Sequence, residues 1–505
     1  MNKKSIILSC LLAFCLVLPA QNYIPVKPGA GDDEILKAAL AVRPSERQMN
    51  WQEMEYYGFI HFGINTFTGQ EWSDGTNPPE LFNPTALDAE QWVKTFKAAG
   101  MKGMILTAKH HDGFCLWPTK TTSYSVQKSP WRNGQGDLVR EVADACRRHG
   151  LKMGIYLSPW DRNHPTYGDS PAYNQIFRDQ LTELLTNYGE MFEVWFDGAN
   201  GEGPNGKVQQ YDFESFYTLI RRLQPKAVIA IMGPDVRWVG NEAGRGRDPE
   251  WSALPVGAAS RSTIAENSQQ NVTENMFVPK DARGADLGSR HLLKGTEAMI
   301  WYPSEVDTSI RPGWFYHANQ DDKVKSVDKL EDIYYTSIGM NSTLLLNIPP
   351  DQRGLIHDND IKHLLELRKR IDNTFANNIL KSAKIKAKSN GRKYSANRNI
   401  TDADKLSFWR AATTDKEPVI EISFRKAVSC DRLLLQENIR NGQRIENFIF
   451  EVYNNGQWKK VAEGKTVGYK RILRFEKTTF SKARIRFTGF RAAPEIIDAG
   501  LYLSK

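Results

Sequence analysis

From residue 56 to about residue 350, short apolar runs alternate with segments of helical periodicity, and this alternation constrains the fold more than any other feature. The runs, rich in β-branched and aromatic residues, are "YGFIHFG" (57–63), "GMILTAKHH" (103–111), "MGIYLSP" (153–159), "FEVWFDG" (192–198), "AVIAIMGPD" (227–235), "MIWYPSEVD" (299–307) and "TLLLNIPP" (343–350). Between them lie amphipathic stretches with helix punctuation. "DAEQWVKTFKAAG" (88–100) opens on an Asp cap and closes at Gly, and "DLVREVADACRRHG" (137–150) adds Arg and His in its last turn. "SPAYNQIFRDQLTELLTNYG" (170–189) and "FESFYTLIRRLQP" (213–225) follow the same logic. Strands alternating with helices join by right-handed crossovers into a parallel sheet. Seven such runs predict a (β/α)8-like barrel with one strand irregular or hidden. A doubly wound sheet is the alternative, but it wants a Gly-rich phosphate loop after the first strand, and "HFGINTF" is not one.

The texture changes after "HLLELRKRIDNTFANNIL" (363–380). "VIEISF" (419–424), "RLLLQEN" (432–438), "FIFEVYNNGQWKKVA" (448–462), "RILRF" (471–475) and "ARIRFTGF" (483–490) are short and alternating, and Asn454-Asn455-Gly456 marks a hairpin. The expected organisation is a barrel over 21–380 and an all-β sandwich over 381–505. Residues 1–20 read as a signal peptide: Lys3 and Lys4 precede an apolar stretch from Ser5 to Leu18, too short for a membrane span. That favours the periplasm over an extracellular location, and over a lipid anchor on Cys10 or Cys15, because neither cysteine has a convincing lipidation context. The net charge is +8, or +6 without Lys3 and Lys4, and its basic residues form no single run, which excludes a nucleic-acid signature. Cys115, Cys146 and Cys430 are too widely spaced for a disulfide framework or a zinc site. The oligomeric state is not legible.

In a barrel of this kind the C-terminal strand ends form the active face. The residues there are His61, then His110, His111 and Asp112, then Tyr156, Trp160 and Asp161, then Asp197. Beyond them the loop "RWVGNEAGRGR" (237–247) holds one carboxylate, Glu242, and "SEVDTSIRPGWF" (304–315) follows. Singly, each has an ordinary reading: an Asp before Gly is usually a turn former, and a His at a strand end is usually structural. Collectively they are unusual. Adjacent His110 and His111 on a strand should point to opposite faces, and no HxH or HExxH motif accompanies them, so no metal is expected. No GxSxG nucleophile motif is present. Two carboxylates on neighbouring strands, with aromatic and imidazole groups to hold a polyol, form the glycosidase arrangement. Trp72, Trp160 and Trp314 offer flat walls for a sugar, and Trp238 is a candidate for an apolar wall beside Glu242.

"HFGINTFTGQEW" (61–72), "AKHHDGFCLWPTK" (108–120) and "VWFDGA" (194–199), in that order and spacing, resemble the α-L-fucosidases of glycoside hydrolase family 29. The resemblance covers about residues 40–370. It implies a retaining exo-fucosidase on a (β/α)8-like barrel with a C-terminal β-sandwich and no cofactor, acting on a fucosylated oligosaccharide or glycoconjugate. It maps the nucleophile onto Asp197 and fucose contacts onto His61, Glu71, Trp72, His110, His111 and Tyr156. "RWVGNEAG" (237–244) is similar to the subfamily that cleaves α-1,3 and α-1,4 fucose on branched glycans, which makes Glu242 the acid/base. "EVDTSIRPGWF" (305–315) is also similar to that subfamily, with Glu305, Asp307, Arg311 and Trp314 as substrate contacts. The fucose methyl group needs an apolar niche, for which Phe59, Trp195 and Trp301 are candidates. A broad-linkage fucosidase and a non-catalytic lectin are the competing expectations. The C-terminal domain resembles discoidin-like, galactose-binding-like modules, with a structural buttress as its plainer reading.

Overall fold

The computed structural model describes residues 22–262, 287–391 and 399–504, so the signal-peptide reading falls outside it. Eight parallel strands form the barrel: β1 (Tyr56–Ile60), β2 (Gly103–Lys109), β3 (Lys152–Leu157), β4 (Met191–Phe196), β5 (Val228–Ile231), β6 (Arg237–Trp238), β7 (Ser304–Ser309) and β8 (Thr343–Asn347). Their order is β5-β4-β3-β2-β1-β8-β7-β6. Among the described residues one bridge, between Ala230 and Val236, spans the gap from β5 to the start of β6, so the ring is nearly closed with a seam there. The strands are buried on both faces, which is why they read as continuous apolar runs.

Helices Ala89–Ala98, Leu138–His149, Ser170–Asn187, Phe213–Leu223, Val327–Ser337 and Asp358–Phe375 flank the ring. Asp88 and Asp137 accept the backbone N–H of Gln91 and Arg140, and Gly150 ends its helix at φ 70°, as the sequence punctuation predicts. No helix among the described residues is long and apolar enough to cross a membrane.

Two parts of the strand reading are corrected. The hidden strand is β6, whose Arg237 and Trp238 sit between Gly233-Pro234 and Gly240, so no apolar run marks it. "MIWYPSEVD" is two strands. Ala298–Trp301 pairs antiparallel with Tyr23–Pro25 and Ala253–Pro255 in a small outer sheet, and the barrel strand β7 begins only after Pro303.

The C-terminal domain is an antiparallel sheet structure. Val419–Glu437 and Arg471–Phe490 each run through what reads as two strands, and their ladder shifts register between Ser423 and Val428 and between Cys430 and Arg432. The hairpin at Asn454–Gln457 turns through Asn455 (φ 50°) and Gly456 (φ 79°). The domain docks on a buried polar cluster. The Glu250 carbonyl accepts from Gln443 Nε2 (3.1 Å), Thr466 Oγ1 (3.1 Å) and Asn341 Nδ2 (3.0 Å), and Asn341 Oδ1 accepts from the Tyr469 N–H (2.6 Å).

Candidate active site

Side chains alternate along a strand, so every second residue of β1, β4 and β7 enters the barrel lumen. Three tiers result. Tyr57, Glu193 and Glu305 form the lowest, Phe59, Trp195 and Asp307 the middle, and His61, Asp197 and Ser309 the upper. The middle tier floors a pocket at the C-terminal face. His61, His110, His111 and Asp197 wall it, and Glu71, Trp72, Glu242 and Trp314 complete it.

Asp197 projects from the end of β4 with both oxygens engaged. Oδ1 accepts the Ala199 N–H (2.7 Å) and Oδ2 accepts the Tyr156 hydroxyl (3.1 Å). Tyr156 is itself locked by stacking on Trp195, with centroids 5.1 Å apart. His111 Nε2 lies 3.8 Å from Asp197 Oδ2.

The imidazoles are neutral. Burial pushes the pKa of His61 down to about 3 and that of His111 down to about 4, and drives His110 well below its ordinary value. Asn347 Nδ2 donates to Ser309 Oγ (2.9 Å) and to the Trp314 carbonyl (2.8 Å), which leaves its Oδ1 to accept from His61 Nδ1 (2.9 Å). Ser158 donates to the Trp160 carbonyl (2.7 Å) and accepts from His111 Nδ1 (2.7 Å). Both rings therefore carry the proton on Nδ1 and keep Nε2 as an acceptor, a form suited to sugar hydroxyls.

Glu242 stands on the loop after β6, its carboxyl reaching solvent at the pocket mouth. Desolvation by the surrounding protein pushes its pKa up to about 7; the Trp314 indole, donating at 3.2 Å, opposes this, and the charges of Asp197 and Glu71 add to it. The indole beside it is thus Trp314. Trp238, the expected wall, donates instead to Asp307 Oδ1 (2.8 Å). Burial holds Asp307 well above the carboxylate range, reinforced by the charge of Glu242.

The pocket therefore gathers His61, Glu71, Trp72, His110, His111, Trp195, Asp197, Glu242, Asp307 and Trp314, while Tyr156 lies behind Asp197 and touches it. Four expectations are corrected. His110 and His111 both line the pocket, because β2 ends at Lys109 and the pair sits on the turn beyond, with rings 4.1 Å apart. Arg311, expected as a substrate contact, is instead fully buried outside the pocket lining, bound to Asp360 (2.9 Å) and Asp321 (2.8 Å). Glu305 is equally buried, one tier below the floor, and accepts from Trp195 Nε1 (2.7 Å). Trp301 lies in the outer sheet and donates to Gln52 (3.1 Å), which leaves Phe59 and Trp195 as the apolar floor.

Sequence reasoning missed Asn347, Ser158 and His317. The first two sit at or just past the ends of β8 and β3, where the rule applied to the other strands finds them. His317 carries no such signal. It donates to Glu71 (2.6 Å), whose carboxylate also accepts the N–H of Trp314 (2.8 Å) and of Phe315 (3.3 Å), so Glu71 clasps the loop that carries Trp314.

Comparison with known proteins gives the same picture. The alpha-L-fucosidase family profile matches residues 40–372, and the F5/8 type C domain profile matches 384–495. The chain is 42% identical to Alpha-L-fucosidase 1 of Arabidopsis thaliana, over 92% of this chain and 88% of that one. A Bacteroides ovatus crystal structure assigned as an alpha-L-fucosidase superposes with a TM-score of 0.83 at 50% identity, covering 96% of this chain and 78% of that one. A Ruminococcus gnavus GH29 fucosidase in complex with fucose gives 0.78 at 31% identity, with 96% and 99% covered. The barrel and the match over most of its length place this chain in glycoside hydrolase family 29, the alpha-L-fucosidases.

Proposed function

We propose that the chain is an exported, retaining exo-α-L-fucosidase that removes terminal α-1,3- or α-1,4-linked fucose from branched, Lewis-type glycans. One observation carries the acid-and-nucleophile reading: among the carboxyls that line one pocket, Asp197 and Glu242 stand in contrasting settings, and retention rests on the family-29 resemblance. Asp197 is aimed into it by the Tyr156 hydroxyl and the Ala199 N–H. Glu242, at about 7, still carries a proton to give near neutrality. Asp197 attacks the anomeric carbon while Glu242 protonates the departing glycosidic oxygen. Water then attacks the fucosyl-enzyme, and Glu242 takes the proton back.

The fucose complex of the R. gnavus relative supports fucose as the occupant of this pocket. Phe59 and Trp195 suit its methyl group, and the neutral imidazoles suit its hydroxyls. The linkage reading is supported by the two segments that resemble the α-1,3/1,4 subfamily, because both reach the pocket, one through Glu242 and the other through Asp307 and Trp314. The sandwich is a buttress in this reading, held by the cluster around the Glu250 carbonyl. Export rests on the N-terminal sequence.

A substrate panel tests both parts. Lewis-type trisaccharides should be cleaved in preference to 2′-fucosyllactose, and proton NMR should show α-fucose as the first-formed anomer. Equal rates on all linkages would leave a broad-linkage enzyme, β-fucose first would make it inverting, and no release from any substrate would leave a lectin.

A further inference from the structure

Beneath the pocket floor, Glu193 and Glu305 face each other with neither side chain exposed to solvent. Their oxygens have an uneven supply of donors. Trp51 Nε1 donates to Glu193 Oε2 (2.8 Å), Trp195 Nε1 donates to Glu305 Oε1 (2.7 Å), and the Tyr57 hydroxyl donates to Glu305 Oε2. Glu193 Oε1 is buried without a donor. All three donors are neutral, two indoles and a phenol. Besides that phenol, Tyr57 on β1, the titratable group that faces the pair is Asp307, one tier above on β7. Two carboxylates sharing a dry space with only neutral partners cannot both stay ionised.

We propose that Glu193 carries a proton on Oε1 and donates it to the Glu305 carboxylate, making Glu305 a positioning residue whose acceptor oxygen sets the orientation of Trp195. This one proton completes the hydrogen bonding of all four oxygens. It also leaves one negative charge rather than two buried beneath the pocket floor. Burial and the neighbouring carboxyl both hold the Glu193 proton on, and Glu193 is raised well above the usual carboxyl range. Trp195 then presents a fixed face to the pocket, two residues before Asp197 on the same strand.

Glu193→Gln reproduces the arrangement: its amide oxygen accepts from Trp51 and its NH2 donates to Glu305. Glu305→Gln cannot, because a single amide oxygen replaces two oxygens that each accept a hydrogen bond, and the NH2 then opposes a donor. E193Q should keep kcat/KM within about twofold, while E305Q should raise KM by about tenfold, the loss of one buried hydrogen bond, with a smaller change in kcat. This kinetic arm rests on the pocket as the fucose site. A second arm does not. Because the folded protein holds the Glu193 proton above its unfolded pKa, wild type loses stability as pH rises through and beyond the ordinary carboxyl range, and E193Q lacks that titration. The melting temperature of E193Q relative to wild type should therefore climb from about pH 5 to about pH 8. A gap that does not change with pH would overturn the shared proton, whatever the kinetics. Equal kinetic losses in both variants, with the pH-dependent gap present, would overturn the positioning of Trp195 alone. If E305Q does not fold, the E193Q melting curves still decide the proton.

Discussion

Trp314→Phe isolates one term in the setting of Glu242. The substitution keeps an aromatic ring on the loop clasped by Glu71 and removes the indole N–H that donates to Glu242 Oε2 at 3.2 Å. That donor favours the ionised carboxylate, so its loss raises the pKa of Glu242 above about 7. A long hydrogen bond to a solvent-reaching carboxyl is worth about 0.5–1 kcal/mol. The corresponding shift is about 0.4–0.7 pH units. In the proposed role as acid Glu242 must be protonated, so activity should fall as pH rises through its pKa. The alkaline limb of kcat/KM, expected near pH 7 in the parent from the pKa of Glu242, should move up by that amount in W314F. The acid limb should stay in place. The assay is kcat/KM against pH on a natural α-fucoside, whose leaving group needs protonation. The lost wall will raise KM at every pH, which scales the curve without moving its limb. A limb that stays put or moves down would refute the assignment of that limb to Glu242.

Asp197→Ala should lower turnover by on the order of 10³-fold or more in a folded protein, since it removes the attacking group; a variant that keeps full activity would end that assignment. Glu242→Ala should be slow on natural glycosides and partly spared on activated aryl fucosides, which need no proton, and equal losses on both would indicate another acid. Arg311→Met leaves Asp360 buried and uncompensated and should cost about 3 kcal/mol in chemical denaturation, with KM for fucosides nearly unchanged, because Arg311 lies outside the pocket. His111 is held neutral, with its pKa depressed to about 4, so its contribution to stability is present above its unfolded value and lost as pH falls through about 4. Melting temperatures from about pH 7 down to about pH 4 should fall less steeply in His111→Asn than in the parent, and parallel curves would count against the buried neutral ring.

Much of this site was legible because the barrel translates sequence position into depth. An apolar run that stops at a polar residue marks a strand end, and Asp197, His61 and Asn347 all sit at or just past such ends. The same rule overreached at His110 and His111, since strand alternation no longer applies once the ladder has ended at Lys109. The lower tier was missed for the opposite reason. Glu193 interrupts "MFEVWF", and an acid within an otherwise apolar strand signals a buried partner, but the partner lies 112 positions away on β7. Arg311 was misplaced because a loop Arg looks the same in sequence whether it meets a substrate or Asp360. β6 stayed hidden because two residues leave no periodicity to detect.

The seam in the ring separates the fates of the two carboxyls. Asp197 rides on β4, hydrogen-bonded on both sides by β3 and β5. Glu242 hangs from β6, which pairs with β7 over two residues and meets β5 through one bridge, and its loop runs on to the Glu250 cluster that anchors the sandwich. Asp197 is built into the frame and Glu242 is suspended from its edge. In the proposed mechanism, insertions and exchanges in residues 232–262 would alter what can be accommodated beyond the fucosyl bond while Asp197 stays where it is. Aglycone preference could then change without rebuilding the part of the site that, in this reading, holds the sugar.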